Sequence, residues 1–154
     1  MCGLARTTPS TFILMGGDTC HHCGSLRPNR YVPLPAYVSP APFSDPPHKP
    51  GSVCLGAVLE AIHPERSRTV PYYSRLSQAP DRDVAEAEAT IDKMFAFDAS
   101  EDVFVVIAHD RSLLGVIDFF PETVNAWKEK GWKEAGRWRF LEDFKGAVPK
   151  GNPA

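Results

Sequence analysis

Two stretches of the chain run from apolar into titratable residues, and chemistry can sit at both. The first is Ile13-Leu14-Met15-Gly16-Gly17-Asp18, with His21 and His22 close behind; the second is Val105-Val106-Ile107-Ala108-His109-Asp110. Carboxylate and imidazole together suit borderline divalent metals, zinc among them. A carboxylate can also bridge two cations and hold them close enough to share a hydroxide. Each residue has a plainer reading too. An Asp after Gly-Gly commonly forms a turn or caps a helix, and a His at a strand end commonly makes a structural hydrogen bond.

Cys20-His21-His22-Cys23 offers a different chemistry. A Cys-x-x-Cys pair is half of a structural zinc site, whose other half is a second close pair. Cys2 and Cys54 stand alone, so no second pair exists in this sequence. A redox pair would open a helix after a strand, where this chain continues into proline-rich sequence. Cys20, Cys23, His21 and His22 therefore stay open as metal ligands or as supports for ligands, with His22 the plainer of the two imidazoles. His48 and His63 lie in loop-like sequence and are expected to be solvated. Ser112 reads as a helix cap rather than a nucleophile. Tyr72 and Tyr73 either line a pocket or simply pack. No serine nucleophile elbow, phosphate-binding glycine loop or dinucleotide fingerprint occurs.

The elements that must position these residues follow from periodicity and breakers. Thr11 to Met15 is short, β-branched and aromatic, and predicts a buried strand broken by Gly16-Gly17. Prolines at 28, 33, 35, 40, 42, 46, 47 and 50 exclude helix and central strand over residues 27–50. That stretch reads as a long irregular loop able to cover a cleft. Val53 to Ile62 is apolar and ambiguous between strand and helix, Pro64 ends it, and residues 64–80 form a second proline-rich loop. Asp83 with Glu86 predicts a capped helix start, and Val84, Ala87, Ile91, Met94 and Phe95 recur on one face. Val103 to Ala108 is continuously apolar, as in a strand covered on both faces. Short helices are expected from Ser112 and over Thr123 to Lys130, and a last strand at Arg139-Phe140-Leu141. A helix between two covered strands gives an α/β fold class.

Composition narrows the function. The chain has 154 residues with 43% hydrophobic content, enough for one domain. A formal net charge of -2 gives no electrostatic case for nucleic acid or an anionic membrane. No run is long enough to span a bilayer, and no signal-like segment opens the sequence, so a soluble, cytoplasmic protein is expected. The four cysteines are expected to be reduced thiols or metal ligands rather than a disulfide framework.

Phe12 to His22, followed by Gly24-Ser25-Leu26-Arg27-Pro28, resembles a segment of fungal metallo-β-lactamase-superfamily proteins, in which the strand ends in an Asp that bridges two metals. Val105 to Asp110 resembles the superfamily's last metal motif, whose His binds the second metal. The tail through Trp127 and Trp138 is also similar, so the resemblance covers nearly the whole of residues 1–154 as a single partial domain. It implies the C-terminal half of an αββα sandwich, with residues 27–50 and 64–80 as loop insertions. It also implies a divalent metal, most simply zinc, and hydrolysis of an ester, thioester or lactone by metal-bound hydroxide, in the setting of fungal secondary metabolism. Asp18 would take the bridging, catalytic role and His109 the second-metal role, acting on a small-molecule substrate. The family's His-x-His-x-Asp-His string does not occur here. The resemblance therefore implies an incomplete site, inactive alone, unless a complementing chain or homo-oligomer completes it. Half of such a sandwich would also leave one sheet face uncovered. The alternative is a non-enzymatic binding or scaffold protein with a structural metal site at residues 20–23.

Overall fold

Three strands carry both chemistry-bearing stretches. They are β1 (Gly3–Arg6), β2 (Phe12–Gly17) and β5 (Val103–Ile107), in the order β1-β2-β5. A two-residue pair, β3 (Tyr37–Val38) and β4 (Cys54–Leu55), forms a separate small ladder. Helices α1 (Gly56–Ile62), α2 (Val84–Ala99) and α3 (Trp132–Gly136) complete the regular structure, with three 3₁₀ segments, Cys23–Ser25, Arg111–Leu113 and Arg139–Ala147. The chain is thus mixed α/β. The computed structural model describes residues 2–76 and 83–149. Residues 77–80 of the second proline-rich stretch fall outside them.

β2 is antiparallel to β1 and parallel to β5. Parallel pairing is the decisive feature, because it sets the C-terminal ends of β2 and β5 at the same rim. Side chains alternate across the sheet. Leu14, Val103, Val105 and Ile107 enter a core with Ile91, Met94 and Phe95 of α2, while Ile13 and Phe104 enter another with Leu113, Trp127 and Trp132. Both faces of β2 and β5 therefore carry buried side chains. Trp127 is fully buried, and its indole N–H donates to Thr7 Oγ1 at 3.2 Å, tying the second layer to the β1–β2 connection.

α2 starts as its sequence requires: the Glu86 N–H donates to Asp83 Oδ1 at 2.9 Å, capping the helix. Ile91, Met94 and Phe95 are buried, and so is Asp98 one turn on. The ambiguous apolar run resolves as strand, then helix, at the β4–α1 junction. Three expectations are corrected. Thr123 to Lys130 forms turns, and the helix begins afterwards at Trp132, beyond Gly131 in the left-handed region (φ +65°). Arg139-Phe140-Leu141 is 3₁₀ helix rather than strand, and it buries both Phe140 and Leu141. His63 is buried, not solvated: its Nε2 donates to the Val70 carbonyl (2.8 Å), while its Nδ1 accepts from the Glu65 N–H (3.0 Å). The side chain of His48 is likewise only 6% exposed, and burial lowers its pKa.

Candidate metal centre

The rim is built by two tight turns. At the end of β2 the register slips by one residue: Met15 pairs with Val106, and Gly17, not Gly16, pairs with Ile107. This bulge favours glycine. A Cβ on Gly16 would stand 2.8 Å from Met94 Cε and 3.0 Å from Ile107 Cγ2, and Gly17 has φ +53°. The Thr19 N–H and hydroxyl both donate to the Gly16 carbonyl, at 3.2 and 2.6 Å, closing the turn. Cys20 then points inward, while Asp18 and His21 point out.

β5 ends one step further along the same rim, where the Ala108 N–H donates to the Gly17 carbonyl at 2.9 Å. His109 follows with φ +65°, a left-handed backbone that costs a non-glycine residue roughly 1–2 kcal/mol. Asp110 fixes this turn from both sides. Its Oδ1 accepts from the Ser112 N–H (3.0 Å) and hydroxyl (2.5 Å), and its Oδ2 accepts from the Cys23 thiol (3.1 Å). Asp110, not Ser112, therefore caps the Arg111–Leu113 turn. The Cys23 contact also fastens the loop after β2 to the loop after β5.

The outcome is a meeting of side chains distant in sequence. Asp18 Oδ1 lies 3.3 Å from His109 Nε2 and 3.4 Å from His21 Nε2. The imidazoles of His21 and His109 meet edge to face, with centroids 5.0 Å apart. Among the described residues, these three form one group whose donor atoms all lie within 4.8 Å of one another. All three side chains are 60–72% exposed, so water screens their attraction and ion pairing gives little reason for them to gather. The donor set is chemically right for zinc or a similar ion. Nitrogen and oxygen ligands at about 2.0–2.2 Å in a tetrahedron stand roughly 3.3–3.6 Å apart, the separation seen between Asp18 Oδ1 and each imidazole nitrogen.

The remaining candidates lie elsewhere. His22 turns inward and caps the Cys23–Ser25 turn: its Nδ1 accepts from the Gly24 N–H (2.8 Å) and its Nε2 donates to Asp143 Oδ2 (3.0 Å). Both ring nitrogens are thus engaged, between Tyr73, Phe140 and Phe144. All four cysteines are free thiols. Burial pushes Cys20 up to about 12 and Cys23 well above its ordinary value, so both stay protonated at neutral pH. A thiol binds metal as thiolate, and neither sulfur belongs to the three-residue group. Asp143 carried no signal in the sequence, and Asp110, which ends the second titratable stretch, was given no turn-holding role there. Asp110 directly follows the strand-end His, a position that could have marked it.

A cleft of about 740 Å³ opens beside the group, lined by Asp18, His21, His22, Tyr73, Leu76 and Val84 among others. No residue of 27–50 lines it; its far wall comes from the segment around Tyr73 and the start of α2. Tyr72, in contrast, is buried, and its hydroxyl donates to the Leu59 carbonyl at 2.8 Å.

Comparison with known proteins finds relatives over nearly all of this chain. The chain is 40% identical over 147 residues to the gamma-lactamase FDB1 of Fusarium pseudograminearum, covering 94% of this chain and 35% of that protein. It is 40% identical over 152 residues to the metallo-hydrolase mfmC of Annulohypoxylon moriforme, covering 96% and 38%. A protein named cytochrome P450 monooxygenase mpaDE' from Penicillium brevicompactum is 35% identical over 147 residues, which is 14% of its length. No family model and no solved structure matches. Over nearly all of these residues the chain is similar to metallo-β-lactamase-type fungal proteins, matched to a part of each relative. It spans 35–38% of the length of the first two. The first of these relatives is named a lactamase and the second a metallo-hydrolase, and the Asp/His group here offers donors of a kind that suits a divalent metal.

Proposed function

We propose that this chain contributes Asp18 and His109 to the metal centre of a zinc-dependent hydrolase acting on an ester, thioester or lactone in fungal secondary metabolism. The observation that carries the reading is the 3.3 Å approach of Asp18 Oδ1 to His109 Nε2 across the tips of two parallel strands. A divalent ion bound there would polarise a carbonyl oxygen and acidify a water. The chain's own residues have simpler tasks. The carboxylate of Asp18 accepts positive charge, His109 offers a neutral imidazole nitrogen, and the bulge at Gly16 and the cap by Asp110 hold both in place. The cleft beside Asp18 admits a small acyl substrate, with Tyr73, Leu76 and Val84 giving it an apolar wall.

The described residues offer one three-donor group, whereas a dinuclear site needs more ligands. The reading is therefore of a portion of an αββα sandwich that does not turn over substrate alone. A polypeptide bearing His-x-His-x-Asp-His would complete it. The test is zinc-dependent hydrolysis of activated thioesters and lactones, by the chain alone and with such a polypeptide added. Turnover is expected only in the mixture, and is expected to vanish with Asp18→Ala. Turnover by the chain alone would overturn the incompleteness; turnover surviving Asp18→Ala would remove Asp18 from the mechanism.

A further inference from the structure

His21 is the one member of the group that lies on neither strand end, and its position is specific. The turn closed by Thr19 carries it back over Asp18, so that its Nε2 stands 3.4 Å from the carboxylate oxygen that also faces His109. Its ring packs edge-on against His109. No further polar contact holds it there: among the described residues its ring nitrogens have no partner except Asp18, and the side chain is 60% exposed. Its neighbour His22, by contrast, uses both nitrogens inside the protein. An exposed imidazole with free rotamers gains little from one screened contact. Two imidazoles converging on one carboxylate oxygen, at tetrahedral edge lengths, are what a single ion would organise.

We propose that His21 is a metal ligand, so that Asp18, His21 and His109 form a three-protein-ligand site for one divalent cation within this chain. Three protein ligands plus one open position is the arrangement of a catalytic zinc. The open position would face the cleft, which Asp18 and His21 line and His109 does not. This inference rests on the metal reading of Asp18 and His109 and adds His21 to it. It assigns the adjacent pair of imidazoles opposite tasks, His21 to the ion and His22 to the fold.

The experiment is titration of the metal-stripped chain with Co²⁺ alone, followed by calorimetry and by the visible absorption of bound cobalt. Wild type is expected to bind one Co²⁺ with the intense absorption of a low-coordinate site. His21→Ala is expected to weaken binding at least tenfold and to change the absorption, while His22→Gln leaves affinity and spectrum as they were. Circular dichroism confirms that each variant is folded. If His21→Ala binds Co²⁺ as wild type does while Asp18→Ala and His109→Ala lose it, His21 is no ligand and the reading of the other two stands. If wild type binds none, or if Asp18→Ala and His109→Ala bind normally, the underlying metal reading fails and this proposal with it.

Discussion

Cys20 and His21 are consecutive residues with opposite surroundings, the thiol buried and the imidazole exposed beside Asp18. Burial keeps the Cys20 and Cys23 thiols protonated, whereas Cys2 is exposed. Treating the native protein at pH 8 with a thiol-specific reagent should therefore label Cys2 promptly and the three buried cysteines only on unfolding. Prompt labelling of Cys23 would contradict its bond to Asp110. His22, held by Gly24, Asp143 and three aromatic rings, is expected to cost about 1–3 kcal/mol of stability on replacement by Ala, read from denaturant unfolding. At this scale the sequence marked Asp18, His21 and His109 by residue type and by their place after apolar runs. It marked His22 as the plainer imidazole but could not show what either ring touches, since that is decided in the turn that Thr19 closes. Nor could it show His63 as buried, because its partner, the Val70 carbonyl, is brought near only by the folded loop.

The element that places the site is the β2 tip, where a bulge lets Asp18 reach the rim beside His109. Its tolerance to substitution follows from the contacts at Gly16. An added methyl meets the flexible end of Met94 and presses slightly on Ile107, so Gly16→Ala should be mild. Gly16→Val places branched bulk against Ile107 and the β5 backbone, and is expected to destabilise by roughly 1–3 kcal/mol. Thermal or urea unfolding of the two variants gives the comparison; equal midpoints would mean the bulge is not tightly packed. The strands and α2 were legible because alternation, a continuous apolar run and an Asp83–Glu86 cap are local signals. The segments after β5 were not. There, fully buried Trp127 and the left-handed Gly131 impose turns on residues whose own composition suits a helix, so tertiary packing decides.

Across the whole molecule, one buried ion pair links three regions. The Arg27 guanidinium donates twice to the Asp98 carboxylate, at 2.8 and 2.6 Å, and once to the Arg137 carbonyl at 2.8 Å. It thereby clamps the site loop to the end of α2 and to the segment after α3. Burial alone would raise Asp98, but the charge and hydrogen bonds of Arg27 outweigh it and hold the carboxyl below its ordinary 3.8. The stabilisation this gives is present above the unfolded carboxyl's range and is lost as pH falls through the lower folded value. Asp98→Asn leaves Arg27 buried without its counter-charge and is expected to cost about 3–5 kcal/mol in denaturant unfolding. A cost under about 1 kcal/mol would contradict that clamp. Asp98 follows Ile91, Met94 and Phe95 at helical spacing, so its burial was implicit in the α2 pattern; its partner was not, because Arg27 sits across a long stretch of proline-rich chain. The site itself depends on the same long-range assembly, since only parallel pairing of β2 and β5 joins Asp18 to His109. Equilibrium dialysis against ⁶⁵Zn²⁺ of wild type, Asp18→Ala, His109→Ala and the double variant tests that joining most directly. If one ion is shared, each single substitution lowers affinity at least tenfold and the two losses fail to add in the double variant. Zinc affinity unchanged by either substitution, or losses that add as for independent sites, would contradict it.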